Sequence, residues 1–384
     1  MKQFNRFVRD IPPSGIQKIF ELSQGMKGVI HLEVGQPDFR TPENILEAVM
    51  QAGRDGFTKY TAAAGIPELR EAIAKKVTEK NGFRAEARNV VVSPGAVASI
   101  MSALVAMAEP GDEILVPDPA WPNYIMQVAC IGCSAVRYPL VPESGFQIDF
   151  DILDRLVTTK TKVMIINTPG NPTGVVFSRD TIRKIAEFAR KHDLFLISDE
   201  VYEEIIYEGE HVSAGLFNDD GRIATIFAFS KTYAIPGLRI GYAVCEDSMA
   251  DLIEKLQTPL VTCPTSVSQK ACLAALAGSQ EPVSEMVKIY RERRDAVIGI
   301  LKNKGLYLYT PSGAFYIFID ISRTGMNSDD FALELLREKK VAVAPGETFG
   351  DTSRSFVRVS FTTDTDKLIE GMHILCDWIA EKSM

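Results

Sequence analysis

Seven short apolar runs, at residues 89–93, 113–116, 134–138, 162–167, 194–198, 223–229 and 240–244, punctuate the middle of the chain. Most are separated by stretches of helical periodicity. In residues 179–191, for example, Ile182, Ile185, Ala186 and Ala189 share one face. Parallel strands need a crossover of about a dozen residues, usually a helix. The repeated strand–helix alternation therefore predicts an α/β fold, a mainly parallel seven-stranded sheet with helices on both faces. The last two runs are joined by only about ten residues, near the lower limit for a crossover, so the final strand is expected to be antiparallel.

A length of 384 residues exceeds what one compact core holds, and two domains are expected. The pattern changes after Pro282. A long charged helix (283–304) leads to hairpin-like runs (306–310 and 314–319), a helix at 329–339, a strand at 356–361 and a closing helix from Asp366. That order predicts a smaller α+β domain at 282–384, completed by an N-terminal segment 1–40, beside a large domain at 41–281. Upstream, short helices are expected at 16–24, at 42–53 with Thr41 as cap and Pro42 in first position, and at 67–80.

Composition narrows the partners. With 42 basic and 50 acidic side chains the net charge is -8, which argues against nucleic acid. No apolar run approaches the roughly 20 residues of a membrane span, and Met1–Arg6 lacks the apolar core of a signal peptide, so a cytoplasmic location is expected. The six cysteines are scattered apart from Cys130-x-x-Cys133 and read as buried free thiols, and the four histidines form no ligand-spaced pair, so no metal site is expected.

The chemistry concentrates at the predicted C-terminal ends of the strands, where open α/β sheets keep their ligand crevice. The run 223–229 delivers Lys231, and Arg239 follows it. An amine among apolar neighbours and beside a second cation loses its proton more easily, as an imine-forming lysine requires, and the arginine can hold a phosphate. A single Ser-Lys pair would read as a snorkelling surface lysine. Three further strand ends weigh against that. Ser93-Pro94-Gly95-Ala96-Val97 opens a helix and makes an anion cradle of backbone N–H groups. Asn171 ends the fourth run and Asp199 the fifth.

With these residues in hand, the chain resembles the class I and II aminotransferases of fold type I, which use pyridoxal 5'-phosphate. The resemblance rests on Asn171-Pro172-Thr173-Gly174, Asp199-Glu200-Val201-Tyr202, the Ser230-Lys231 to Arg239-x-Gly241-Tyr242 stretch and a late Arg358-Val359-Ser360-Phe361, in family order. It implies that Lys231 holds the cofactor as an imine and shuttles the substrate proton, and that Asp199 pairs with the pyridine nitrogen. Tyr202 and Asn171 would hydrogen-bond the ring's phenolic oxygen, and Trp121 would stack on the ring. The phosphate would sit among Gly95, Ala96, Val97, Ser230 and Arg239, with Tyr60 reaching in from a second subunit of an obligate homodimer. Arg358 would clamp the substrate α-carboxylate, with Gly35 closing over it, and Trp121 and Asn171 would also touch substrate.

Two departures from the family pattern stand out. Ala228 replaces a serine that many relatives carry three residues before the lysine, and Val97 replaces a hydroxyl residue. The stretch 258–264 lacks the arginine that the aspartate-specific branch uses for a side-chain carboxylate. The resemblance implies transfer of an amino group from aspartate or a related L-amino acid to a 2-oxo acid, with 2-oxoglutarate as acceptor. A β-lyase uses the same electron sink and is the near alternative. A cofactor-binding sensor domain is the more distant one, and it would carry a DNA-binding module for which the segment before Gly35 leaves no room.

Overall fold

The computed structural model describes residues 4–383 apart from 10 and 12; the start of the N-terminal reading, Met1–Gln3, lies outside the described residues. Twelve strands are formed among them: β1 (Ile30–His31), β2 (Val90–Ser93), β3 (Glu113–Asp118), β4 (Ser134–Pro139), β5 (Thr161–Asn167), β6 (Phe195–Asp199), β7 (Ile223–Ala228), β8 (Gly241–Val244), β9 (Tyr316–Asp320), β10 (Val341–Ala342), β11 (Ala344–Pro345) and β12 (Phe356–Ser360). Seven of them make one sheet in the order β2-β8-β7-β6-β5-β3-β4. β8 is antiparallel to both of its neighbours and the other pairings are parallel, as the short connection before it requires.

Burial on both faces explains why these strands read as unbroken apolar runs. Val163 to Ile166, Leu196, Ile197, Ile226 and Phe227 are all fully buried. One face packs against the helices Ala96–Met107 and Asp247–Val261, the other against Arg179–Lys191. Helix Arg179–Lys191 has the expected stripe, with Ile182, Ile185, Ala186, Phe188 and Ala189 buried, and Ser178 caps its start.

The later chain builds a three-stranded antiparallel sheet, β11-β12-β9, flanked by helices Ser328–Lys339 and Thr365–Lys382 and by the long helix Glu281–Asn303. β1 pairs in parallel with β10, so the N-terminal segment joins the residues after 281 rather than the large sheet.

Several local expectations differ. Residues 306–310 are extended but unpaired, because β9 spends its edges on β12 alone and begins only at Tyr316. The helix at 42–53 forms as Glu43–Arg54, but Thr41 does not cap it; its hydroxyl donates instead to the Ala234 carbonyl at 3.2 Å. The 67–80 helix runs as Pro67–Lys76 and widens into a π turn, Val77–Asn81, closed by Gly82 in the left-handed region. β7 stops at Ala228, so Lys231 stands in a short helical turn, Phe229–Thr232, just beyond the strand. Cys245, Cys272 and Cys376 are buried, whereas Cys130, Cys133 and Cys263 are only half-buried.

Arg293, from the long helix, ties distant segments together. Its guanidinium forms a fork with both Asp38 oxygens, at 2.8 Å each, and also donates to the Phe361 carbonyl and the Thr365 hydroxyl. Asp38→Ala leaves a buried arginine without its counter-charge and is expected to cost about 2 kcal/mol, read as a lower denaturant midpoint. An unchanged midpoint would show that the carbonyl and hydroxyl acceptors suffice.

Candidate active site

The ends of β2, β5, β6 and β7 open on one cavity of about 300 Å³. Its walls come from Ile16, Val34 and Gly35, the cradle residues Ala96 and Val97, Trp121 and Tyr124, Asn167 and Asn171, Asp199, Val201 and Tyr202, Ala228, Ser230, Lys231 and Arg239, and Tyr316 and Arg358 from the later chain. Lys231, Asp199, Tyr202, Asn171, Trp121, Ser230, Arg239, Gly35 and Arg358 are thus brought together across more than 320 positions of sequence.

Lys231 sits at the centre. Its Nζ donates to the Gly35 carbonyl at 2.7 Å. Burial, then the Arg239 and Arg358 guanidinium groups, pull its pKa down to about 8, with Asp199 opposing. Asp199 is pushed the other way. Burial raises its pKa to about 6, while hydrogen bonds from the Tyr124 hydroxyl (2.5 Å, to Oδ2) and the Val201 N–H (3.3 Å, to Oδ1) hold it down. Two titratable groups of opposite charge are therefore both moved toward neutral pH by one desolvated space.

The neighbouring Glu200 does not share the cavity. It accepts from the Ser198 hydroxyl at 2.8 Å and the Ala214 N–H at 2.9 Å, and pairs with His211 Nε2 at 2.9 Å. The motif Asp199-Glu200-Val201-Tyr202 thus splits into a cavity acid and a structural acid.

At the other end, the helix Ala96–Met107 starts at Gly95, whose φ of +84° is open to glycine without strain. A Cβ there would lie 2.6 Å from Arg239 Nη2, and one on Gly241 would collide with the Ala96 N–H. The absence of both side chains lets the arginine and β8 close against the helix start. The result is a set of backbone donors, a helix N-terminus and a guanidinium at one point, the make-up of a phosphate site. Among the described residues Arg239 donates to backbone carbonyls, to Pro236 at 2.9 Å and Pro94 at 3.5 Å.

Arg358 is fully buried, on β12. It donates to Asn171 Oδ1 at 3.0 Å and to the Glu33 carbonyl, and lies 4.3 Å from the Tyr316 ring centre and 4.9 Å from that of Phe349. Its Nε has no hydrogen-bond partner among the described residues. A buried cation that lines a cavity and keeps an orphaned donor is poised for an anion.

Tyr60 behaves differently: it is 84% exposed and lies outside this cavity. Gly95 stands behind Arg239 rather than on the cavity surface. Tyr202 donates to or accepts from Tyr316 at 3.0 Å, and the Asn171 amide oxygen is taken by Arg358. Sequence reasoning missed Tyr124 and Tyr316. Tyr124 lies one helical turn after Trp121, a spacing that could have flagged it; Tyr316 lies in an apolar run and carries no such signal.

The residues present fit pyridoxal 5'-phosphate: an amine of lowered pKa, a buried carboxylate, a flat indole, and an anion cradle with a guanidinium all face one space. The profile of the family described as aminotransferase class I and II matches residues 27–375. The chain is 40% identical over 379 residues to an aspartate aminotransferase of Pyrococcus abyssi and 38% identical over 379 residues to aromatic-amino-acid aminotransferase 2 of Thermococcus litoralis, with 97% of each chain covered in both cases. It superposes on the aspartate aminotransferase of Thermus thermophilus with maleate at a TM-score of 0.94, with 34% identity, 98% of this chain and 100% of that one covered. Motif order, site chemistry and likeness over nearly its whole length agree, and the chain belongs to the class I and II aminotransferases, enzymes that use pyridoxal 5'-phosphate.

Proposed function

We propose that Lys231, Asp199 and Arg358 divide the work of transamination in this cavity, and the convergence of this amine, this carboxylate and two guanidinium groups on one space is the observation that carries the reading. When bound, the cofactor's ring supplies an electron sink for the pair left as the substrate α-proton is removed. Lys231 would hold the cofactor through Nζ, and once freed by the incoming amino acid the same nitrogen would take and return the substrate α-proton, a role open to an amine with a pKa near 8.

Asp199 holds the ring nitrogen and its proton, since a carboxylate buried at the end of β6 is a partner for one cation. Tyr202 and Asn171 face the ring's phenolic oxygen, and Trp121 offers its flat side. Ala96, Val97, the neighbouring Gly95, Ser230 and Arg239 hold the phosphate. Ala228 leaves no hydroxyl at its position, so Ser230, buried on the cavity wall, is the side-chain hydroxyl assigned there. Arg358 takes the α-carboxylate, and the Gly35 carbonyl, now on Lys231, marks the backbone that closes over it.

The donor proposed is aspartate or a related L-amino acid and the acceptor 2-oxoglutarate, in line with relatives named for aspartate and aromatic substrates. Among the described residues, Lys231, Arg239 and Arg358 are the cations that line the cavity, and each already has a task. A side-chain carboxylate would therefore need a further cation, such as one on the N-terminal segment. Tyr60, exposed and outside its own cavity, supports a homodimer in which each chain completes the other's phosphate site. We further propose a division into 41–281 and 282–384 with 1–40, and a cytoplasmic location; among the described residues no helix is long and apolar enough to cross a membrane.

Adding a panel of L-amino acids to the cofactor-loaded protein should bleach the absorbance of the lysine-bound cofactor as the amine form appears, and Lys231→Ala should lack both the band and the conversion. A fully active Lys231→Ala would falsify the assignment. Because the free amine is the attacking form, capture of added pyridoxal 5'-phosphate by the apoprotein should speed up as pH climbs toward about 8 and level off above it.

Arg358→Lys keeps a charge but loses the fork, so KM for amino acid should rise about tenfold or more while the lysine-bound cofactor band persists. Equal KM values would remove Arg358 from substrate binding. Sedimentation across a dilution series should find activity only in the dimer, and active monomers would refute the shared site.

A further inference from the structure

We propose that Tyr124 is a positioning residue for Asp199: its buried hydroxyl donates to Oδ2, aims the carboxylate at the cavity and keeps it ionised for the ring nitrogen. The inference rests on the role given above to Asp199 and adds the group that sustains it.

The geometry is specific. Tyr124 opens the helix Asn123–Cys130, is fully buried, and lines the same cavity as Asp199, 75 positions away. Its ring meets the Trp121 indole edge to face, with centres 5.5 Å apart and planes at 88°. The face assigned to the cofactor and the hydroxyl on Asp199 are therefore set by one turn of helix. The carboxylate has about four acceptor directions. Tyr124 takes one on Oδ2 and the Val201 N–H one on Oδ1, which fixes the rotamer and leaves capacity on both oxygens for a cation in the cavity.

The electrostatic need is plain from what surrounds the acid. Glu200, next in sequence, and burial both favour the protonated form, while Lys231, Val201 N–H and Tyr124 favour the ion. Tyr202 stands close on the same loop, and the Asn167 amide donates to the Asp199 carbonyl rather than to its carboxylate. Lys231 is taken up by its bond to the cofactor in the working enzyme, which leaves the Tyr124 hydroxyl and the Val201 N–H as the fixed protein donors to this carboxylate. Tyr124 is the one side chain that donates to this carboxylate among the described residues. A protonated Asp199 would offer a neutral hydrogen bond where a counter-ion is needed.

The bland alternative is that a core tyrosine uses Asp199 merely to satisfy its hydroxyl. Tyr138 provides the control. It is equally buried and its hydroxyl donates to the Ile165 carbonyl at 2.8 Å, away from the cavity, so Tyr138→Phe removes a comparable hydrogen bond without touching Asp199.

The test titrates apoprotein with pyridoxal 5'-phosphate at several pH values, following the shift of cofactor absorbance. Tyr124→Phe should bind about tenfold more weakly at pH 7, with the affinity recovering at higher pH because loss of the donor raises the acid's pKa. Tyr138→Phe should follow the wild-type curve even where its melting temperature drops. Should Tyr124→Phe not fold, infrared difference spectra of wild type against Asp199→Asn still decide: an ionised carboxylate band for Asp199 at pH 7 in the loaded enzyme supports the proposal, and a protonated one overturns it. A wild-type pH curve for Tyr124→Phe, or an equal shift in Tyr138→Phe, also overturns it. If no lysine-bound band forms in the wild-type protein, the proposed function fails first, a result separable from indifference to Tyr124.

Discussion

One desolvated space holding a carboxylate, an amine and two guanidinium groups is the constraint on which the rest of this structure depends. Charges removed from water are costly unless paired or neutralised, and here each acts on the others through a low dielectric. The amine's pKa falls because it is buried and because two fixed cations stand beside it, and the carboxylate's climbs because it is buried. Neither shift would survive in an exposed cleft. The fold therefore has to supply walls as much as functional groups, and Val34, Val201, Tyr316 and the Trp121 indole do this.

The parallel sheet makes the convergence possible. Adjacent parallel strands end at the same edge, so the residues after β5, β6 and β7 face one crevice without long loops. The antiparallel β8 then brings Gly241 against the start of the helix Ala96–Met107, where a side chain would not fit. The tight turn before it puts Arg239 at a positive φ of 55°, which is uncommon for a non-glycine residue and lays its side chain on Gly95. Close backbone approach at Gly95 and Gly241 is what brings the Arg239 guanidinium and the helix start together in this chain.

The later part of the chain meets the cavity both directly, through Arg358 on Asn171 and Tyr316 on Tyr202, and through the N-terminal segment. Arg358 is held by the Glu33 carbonyl, Lys231 by that of Gly35, Thr362 by that of Val34, and Arg293 by Asp38. Residues 33–38 thus form a strap between the strand-end lysine and the two buried arginines of the α+β part. This strap links the buried Arg358 at one end of the cavity to the Lys231 amine.

Much of this was legible in the sequence because it is local. Strand–helix alternation, the apolar run that feeds Lys231, the acid closing β6 and the glycine-opened helix all show within a dozen residues. The antiparallel β8 followed from a connection too short for a crossover. What could not be read depends on packing between distant segments. Whether Thr41 caps a helix or bonds Ala234, whether 306–310 finds a strand partner, and which way Glu200 turns are decided by neighbours roughly ten to two hundred positions away. Tyr316 carried no mark of function, since a tyrosine among apolar residues is the ordinary composition of a core, and Tyr124 carried only its spacing from Trp121. The sequence alone determined the order of elements and the kinds of group at the strand ends, because periodicity and turn chemistry act over short range. Only the tertiary structure decided that Tyr124 meets Asp199, that Arg358 is buried with an unpartnered Nε and that Tyr60 faces outward, because each depends on how surfaces far apart in the chain come to rest on one another.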